Sequence, residues 1–163
     1  MLYSKYMKHE IEPVFDKNSK VLILGSFPSE ASRAAGFYYG HRQNRFWRVL
    51  SQITGDDCGI TKEEKTRFLL KNRIALWDVI ASCTVTGSAD SSIKDVIPND
   101  ISVITDKADI KAIYLNGKLS AKLFEKHIKC DIPRICLPST SPANAAYSLE
   151  RLVEEWSVIR YNL

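Results

Sequence analysis

Lys20-Val21-Leu22-Ile23-Leu24-Gly25 is the stretch on which the fold turns. Four consecutive aliphatic residues leave no polar face, so a strand built from them must be covered on both sides, as in a parallel sheet between helix layers. Three further runs read the same way: Arg73-Ile74-Ala75-Leu76-Trp77-Asp78, Lys111-Ala112-Ile113-Tyr114-Leu115-Asn116 and Arg134-Ile135-Cys136-Leu137. Helical patterns lie between them. Phe46, Val49, Leu50 and Ile53 repeat at helix spacing and Gly55 stops that helix. Thr61 and Glu64 form a capping box ahead of Phe68, Leu69 and Leu70, and Asn99 or Asp100 caps a helix through Ile101 and Ile104. Leu119, Leu123, Phe124 and Ile128 mark another helix, and Leu149, Leu152, Val153 and Trp156 a last one. Strands alternating with helices imply right-handed crossovers. The expected fold is α/β, a three-layer α/β/α sandwich with a small, mostly parallel four-stranded sheet, in one domain over residues 1–163. Residues 87–98 read as a surface excursion of weak structure.

Ligands of such sheets gather at the carboxyl ends of the strands. Here those ends are Gly25-Ser26-Phe27-Pro28-Ser29, Asp78, Asn116-Gly117 and Pro138-Ser139-Thr140-Ser141-Pro142-Ala143-Asn144. The first is neither a G-x-G-x-x-G fingerprint nor a phosphate-binding G-x-x-x-x-G-K-[ST] loop, which removes the usual support for dinucleotide or nucleoside-triphosphate binding.

The formal net charge is +4, which permits a polyanionic partner without requiring one. Its placement says more: from Ala31 to Gly55 stand Arg33, Arg42, Arg45, Arg48 and His41 with no acid. A solvated helix face gives the same run. Cys58, Cys83, Cys130 and Cys136 form no C-x-x-C pair and fit neither zinc nor iron–sulfur spacing, so they read as reduced thiols of a cytoplasmic protein. No signal peptide is visible, and no segment approaches the ~20 apolar residues of a membrane span.

Phe37-Tyr38-Tyr39-Gly40-His41-Arg42-Gln43-Asn44-Arg45-Phe46-Trp47 packs five aromatics and two arginines into eleven residues. Phe46 and Trp47 face the core by helix spacing, whereas Phe37, Tyr38 and Tyr39 precede the helix. Aromatic rings beside arginines suit base stacking next to a phosphate backbone, and they equally suit a packed loop. Asn44 stands where a helix cap belongs. The hydroxyls of Ser139, Thr140 and Ser141 either donate to phosphate oxygens or serve a turn and a cap.

These segments, in this order, resemble the uracil-DNA glycosylase superfamily, and most closely its hypoxanthine-DNA (deoxyinosine) glycosylase branch. The match rests on Leu22 to Ser29, Phe37 to His41 with Asn44 to Trp47, Leu76-Trp77-Asp78, Asn116-Gly117 and Leu137 to Asn144, and covers the chain from about Pro13 onward. The resemblance implies a base-flipping enzyme acting on double-stranded DNA. It implies Asn44 as the catalytic residue and a base pocket of Gly25, Ser26, Phe27, Pro28, Ser29, Tyr39, His41 and Asp78, with Tyr39 stacking on the flipped base. DNA contacts would come from Arg42, Arg45, Ser139, Thr140, Ser141, Pro142, Ala143 and Asn144. Departures are Phe27, where many relatives carry Asp or Asn; Leu137, where uracil-excising relatives often carry His; and Arg42, where Pro is common. The first two agree with the hypoxanthine branch and disfavour general uracil excision.

Breaking an N-glycosidic bond builds positive charge on the sugar and negative charge on the leaving base, so donors aimed at those charges carry the catalysis. The Asn44 amide can donate to the base or position water. Asp78 can accept the N1–H of hypoxanthine, or simply bond nearby backbone. The reaction needs no cofactor or metal, and the expected state is a monomer. A catalytically silent DNA binder on the same scaffold and a hydrolase of free nucleosides or nucleotides are the rivals.

Overall fold

The computed structural model describes residues 4–86 and 92–163. In chain order the strands are β1 (Ser4–Lys8), β2 (Val21–Gly25), β3 (Ile74–Asp78), β4 (Ile80–Thr86), β5 (Lys94–Pro98), β6 (Ala112–Asn116) and β7 (Arg134–Leu137). The helices are α1 (Glu30–Ala35), α2 (Phe46–Thr54), α3 (Lys62–Lys71), α4 (Ser102–Thr105), α5 (Lys118–His127) and α6 (Leu149–Trp156), followed by a 3-10 turn over Ser157–Asn162.

The four aliphatic runs are the four strands of one parallel sheet, in the order β3-β2-β6-β7. Val21 to Leu24 have no exposed surface, so β2 is covered on both faces, the property that its unbroken apolar run demanded. The expected helices are present. Thr61 Oγ1 accepts the Glu64 N–H at 3.1 Å, and Glu64 Oε1 accepts the Thr61 N–H at 3.1 Å. Neither capping candidate before α4 occupies the N-cap position, which falls on Ile101; Asp100, one residue earlier, accepts the Ser102 N–H at 3.0 Å. Asn99 instead donates from Nδ2 to the carbonyls of Asp78 (2.8 Å) and Ile80 (3.2 Å) and so braces the corner between β3 and β4.

A second sheet is not marked in the sequence pattern. β1, β4 and β5 form an antiparallel three-stranded sheet in the order β1-β4-β5. β1 is mostly exposed and carries Lys5 and Lys8, so no apolar alternation marks it. β4 follows β3 after a single residue, Val79, with no turn signal between them. The expectation of weak structure over 87–98 is corrected in part: Lys94–Pro98 is a strand paired to β4, while residues 87–91 lie outside the described residues. The short helix α1 is a further element that the apolar spacing does not announce.

Candidate active site

The registers of the parallel sheet align its carboxyl ends. Gly25 lies opposite Asp78, and Asn116 opposite Leu137. The Val79 N–H donates to Gly25 O (2.8 Å) and the Ile80 N–H to Ser26 O (3.0 Å), which fixes the start of the first-strand loop. Gly25 is required here for close approach: a Cβ on it would lie 2.5 Å from Asp78 Oδ1 and 2.8 Å from Tyr39 Oη. Gly25→Ala must therefore displace two candidate pocket groups. For the base release that the resemblance implies, we expect about a 100-fold loss in single turnover, with the circular dichroism spectrum unchanged. An unaffected rate would place the chemistry elsewhere.

Asp78 is buried at the end of β3, and its Oδ2 is bonded to His9 Nε2 at 2.8 Å, with the two side chains 5% and 3% exposed. His9 follows β1, whose pairing to β4 is extended by the His9 N–H donating to Ala81 O at 2.7 Å. Asp78 Oδ1 has no hydrogen-bond donor among the described residues and is the oxygen that faces Gly25. The sequence pattern does not single out His9; the one signal for it is the β1–β4 pairing, which is not legible in the pattern of residues.

Tyr39 has a left-handed backbone (φ 53°), rare for a residue with a Cβ. Its ring lies on Phe46, with centroids 4.0 Å apart and planes 22° from parallel. One face is thus taken, and the residue keeps part of its surface exposed. Its hydroxyl is buried with no partner at full hydrogen-bonding distance, and the Asn116 side chain is close enough to interact with it. Burial first, and the Asp78 charge second, push the Tyr39 hydroxyl far above its ordinary pKa, so it stays an O–H donor. Tyr38 is raised by the same two causes in the same order, and its hydroxyl donates to Glu12 O at 2.8 Å.

Asn44 closes a turn, its N–H donating to His41 O at 3.0 Å. Its Oδ1 accepts the Phe46 N–H at 2.9 Å, which fixes the amide orientation and leaves Nδ2 free of any partner among the described residues. The N-cap position of α2 itself falls on Arg45, so Asn44 stands one residue before it and ties down the first helical N–H without using up its donor.

Arg45 departs from its expected role as a DNA contact. Its guanidinium turns inward and donates to the carbonyls of Ser141 (2.9 Å), Asn144 (3.1 Å) and Tyr147, while its own N–H donates to Thr140 O (3.1 Å). Thr140, also expected at the DNA, is fully buried: its N–H donates to Asn116 Oδ1, and Asn116 Nδ2 donates to its Oγ1, both at 3.1 Å. Trp156 Nε1 donates to Pro138 O (2.9 Å) and Asn144 Nδ2 to Ser139 O (3.0 Å). The loop over 138–144 is thus a rigid projection held from behind. Ser139 Oγ and Ser141 Oγ accept the N–H groups of Ser141 and Ala143, leaving their own O–H protons available to a ligand. Asn116 is a site-building residue to which the sequence motif alone assigns no role.

The other candidates divide. Ser29, placed in the base pocket, is spent as the N-cap of α1, accepting the Ser32 N–H at 3.1 Å. Phe27 packs its ring edge against His9 (6.0 Å) and under Arg33 (5.8 Å). Pro28 is buried and Ser26 half-buried. His41, also placed in the pocket, is exposed, and its Nδ1 accepts the Gln43 N–H (3.1 Å). Arg42 and Ala143 are exposed and Pro142 half-buried. Among the described residues no group of His, Cys, Asp and Glu is arranged to hold a metal ion, and no helix is long and apolar enough to cross a membrane.

The uracil DNA glycosylase superfamily model matches residues 12–161. This chain belongs to that superfamily. A curated relative from Methanosarcina barkeri (strain Fusaro), named hypoxanthine DNA glycosylase, is 39% identical over 117 residues, 71% of this chain and 74% of the relative. A second of that name, from Methanosarcina acetivorans, is 34% identical over 157 residues, 95% and 99% of the two chains. The solution NMR structure of a Methanosarcina acetivorans protein named for the uracil DNA glycosylases superposes with a TM-score of 0.80 at 33% identity, covering 95% of this chain and 96% of that one. The superfamily fold therefore extends over nearly the whole chain, including the strand ends that gather Gly25, Asp78 and Asn116.

Proposed function

We propose that this chain is a monofunctional hypoxanthine-DNA glycosylase. It hydrolyses the N-glycosidic bond of a flipped deaminated base in double-stranded DNA. The observation that carries the reading is Asn44, an amide with its oxygen engaged and its nitrogen presented, at the head of the helix whose Phe46 backs the Tyr39 ring. The names of the two Methanosarcina relatives support hypoxanthine as the base.

The nucleotide swings out of the duplex, at a cost of a few kcal/mol that is least for a mispaired base. The base stacks on the open side of Tyr39, which contributes ~1–3 kcal/mol. Asp78 Oδ1 accepts the N1–H of the base. As the C1′–N9 bond breaks, the electron pair leaves with the base, and Asn44 Nδ2 donates to the growing negative charge. Water adds its hydroxyl to C1′ and its proton ends on the base. The projection over 138–144 presses on the DNA with the Ser139 and Ser141 hydroxyls and Pro142, Ala143 and Asn144 at its tip. Arg42 supplies positive charge beside it, while Arg45 and Thr140 hold the projection in shape.

The test is base release from a duplex carrying one deoxyinosine, with a deoxyuridine duplex and free deoxyinosine in parallel. Hypoxanthine release from the duplex far above that from the nucleoside is expected. Release from the nucleoside alone would replace this reading by a nucleoside hydrolase, and DNA binding without release from either duplex by a silent binder.

A further inference from the structure

We infer that His9 is a specificity-determining positioning residue: its bond to Asp78 Oδ2 dictates that Asp78 meets the flipped base as an acceptor at Oδ1. The inference rests on the base-excision reading above. Three observations carry it.

The first is the bond itself, 2.8 Å between two side chains that are 3% and 5% exposed. A carboxylate buried alone is strongly disfavoured, and among the described residues His9 is the one side-chain donor that reaches it. A carboxylate has no hydrogen to give, so His9 Nε2 carries the proton. The second is the setting of the ring. His9 is edge-on to Phe27 at 6.0 Å and tilted against Tyr38 at 6.2 Å, while its backbone is tied to β4 through Ala81. The imidazole is thereby oriented by two aromatic neighbours and a sheet. The third is the direction of the remaining oxygen. Oδ1 would stand 2.5 Å from a Cβ on Gly25, so it faces the edge of the first-strand loop, while the Tyr39 hydroxyl on the other side of that glycine has the Asn116 side chain to interact with.

A carboxylate oxygen held in that direction fits a lactam N–H. Hypoxanthine offers an N1–H, whereas adenine presents the N1 lone pair and would meet the Asp78 carboxylate lone pair to lone pair. Phe27 then acquires a role at the place where many relatives carry a polar residue: it packs the His9 ring instead of handling water.

The experiment measures binding to two duplexes that cannot be cleaved, one with 2′-fluoro-deoxyinosine and one with 2′-fluoro-deoxynebularine, whose purine lacks the N1–H and O6. The wild-type protein should prefer the first by about 10-fold or more, the value of a hydrogen bond to a charged group. His9→Ala should erase the preference, and His9→Gln, which keeps a donor, should retain part of it. Asp78→Asn should reverse it, because His9 would hold the amide oxygen and turn the new NH2 group toward the base, where it suits the nebularine lone pair. The reversal should vanish when His9→Ala is added, since the amide is then free to flip. Equal weakening of both duplexes by His9→Ala, or an undiminished preference, would reduce His9 to a packing role and overturn the inference. Base release by the wild-type protein from ordinary deoxyinosine duplex is scored separately. A missing release with an intact binding preference would count against the hydrolase reading and leave the His9 assignment standing.

Discussion

Asn44→Ala should lower single-turnover hypoxanthine release by about 100- to 1,000-fold, the range seen when one donor to developing charge is removed. Affinity for the deoxyinosine duplex should change far less, because the donor is needed where the leaving base becomes negative. The alanine variant also loses the bond from the Phe46 N–H to Oδ1 at the start of α2, a loss comparable to that of a helix cap, about 0.5–2 kcal/mol. Asn44→Asp separates the two effects. A carboxylate still accepts the Phe46 N–H and suits the positive end of a helix, so stability should hold. It has no hydrogen to donate and sets a negative charge against a negative leaving group, so activity should be as low as in Asn44→Ala. An active aspartate variant would mean that Asn44 acts through its oxygen, on water, and would end the donor assignment.

Arg45→Leu should destabilise the protein by about 3 kcal/mol, since two carbonyls of the projecting loop and that of Tyr147 lose a charged donor at once. Arg45→Lys should recover little of this, because a single ammonium cannot span carbonyls that the guanidinium fork reaches together. Duplex affinity should fall in both variants through loosening of the segment over 138–144. Urea denaturation and a salt titration of binding distinguish this from a direct phosphate contact. A phosphate-binding arginine would leave the urea midpoint in place and, on removal, shallow the slope of log K against log salt by about 0.9.

The fold is legible in the sequence where one rule governs a whole segment. Val21 to Leu24 can only be a strand covered on both faces, and Thr61 with Glu64 can only open a helix. The line of strand ends follows, and with it the grouping of Gly25, Asp78 and the loop after β7 at one edge of the sheet. Illegible are the contacts that depend on direction rather than position. An arginine in a basic stretch reads as a phosphate ligand, yet the turn at His41 to Asn44 aims Arg45 at backbone carbonyls. Thr140 reads as a donor to DNA because its partner, Asn116, is 24 residues away. His9 escapes notice because β1 has no apolar face of its own, and only its pairing to β4 carries the imidazole over the sheet.

The distances along the chain that separate these partners govern when the site comes into being. His9 and Asp78 are 69 residues apart, and Arg45 and Tyr147 are 102 apart. During synthesis the early members of each pair leave the ribosome long before their partners exist, and the Trp156 contact to Pro138 has to wait longer than either pair. A domain that folds as a unit cannot assemble the His9–Asp78 corner or the braced segment over 138–144 from a fragment. A chain cut before Trp156 would lack the bond that holds Pro138 from behind, so the shape of that segment depends on a helix made after it.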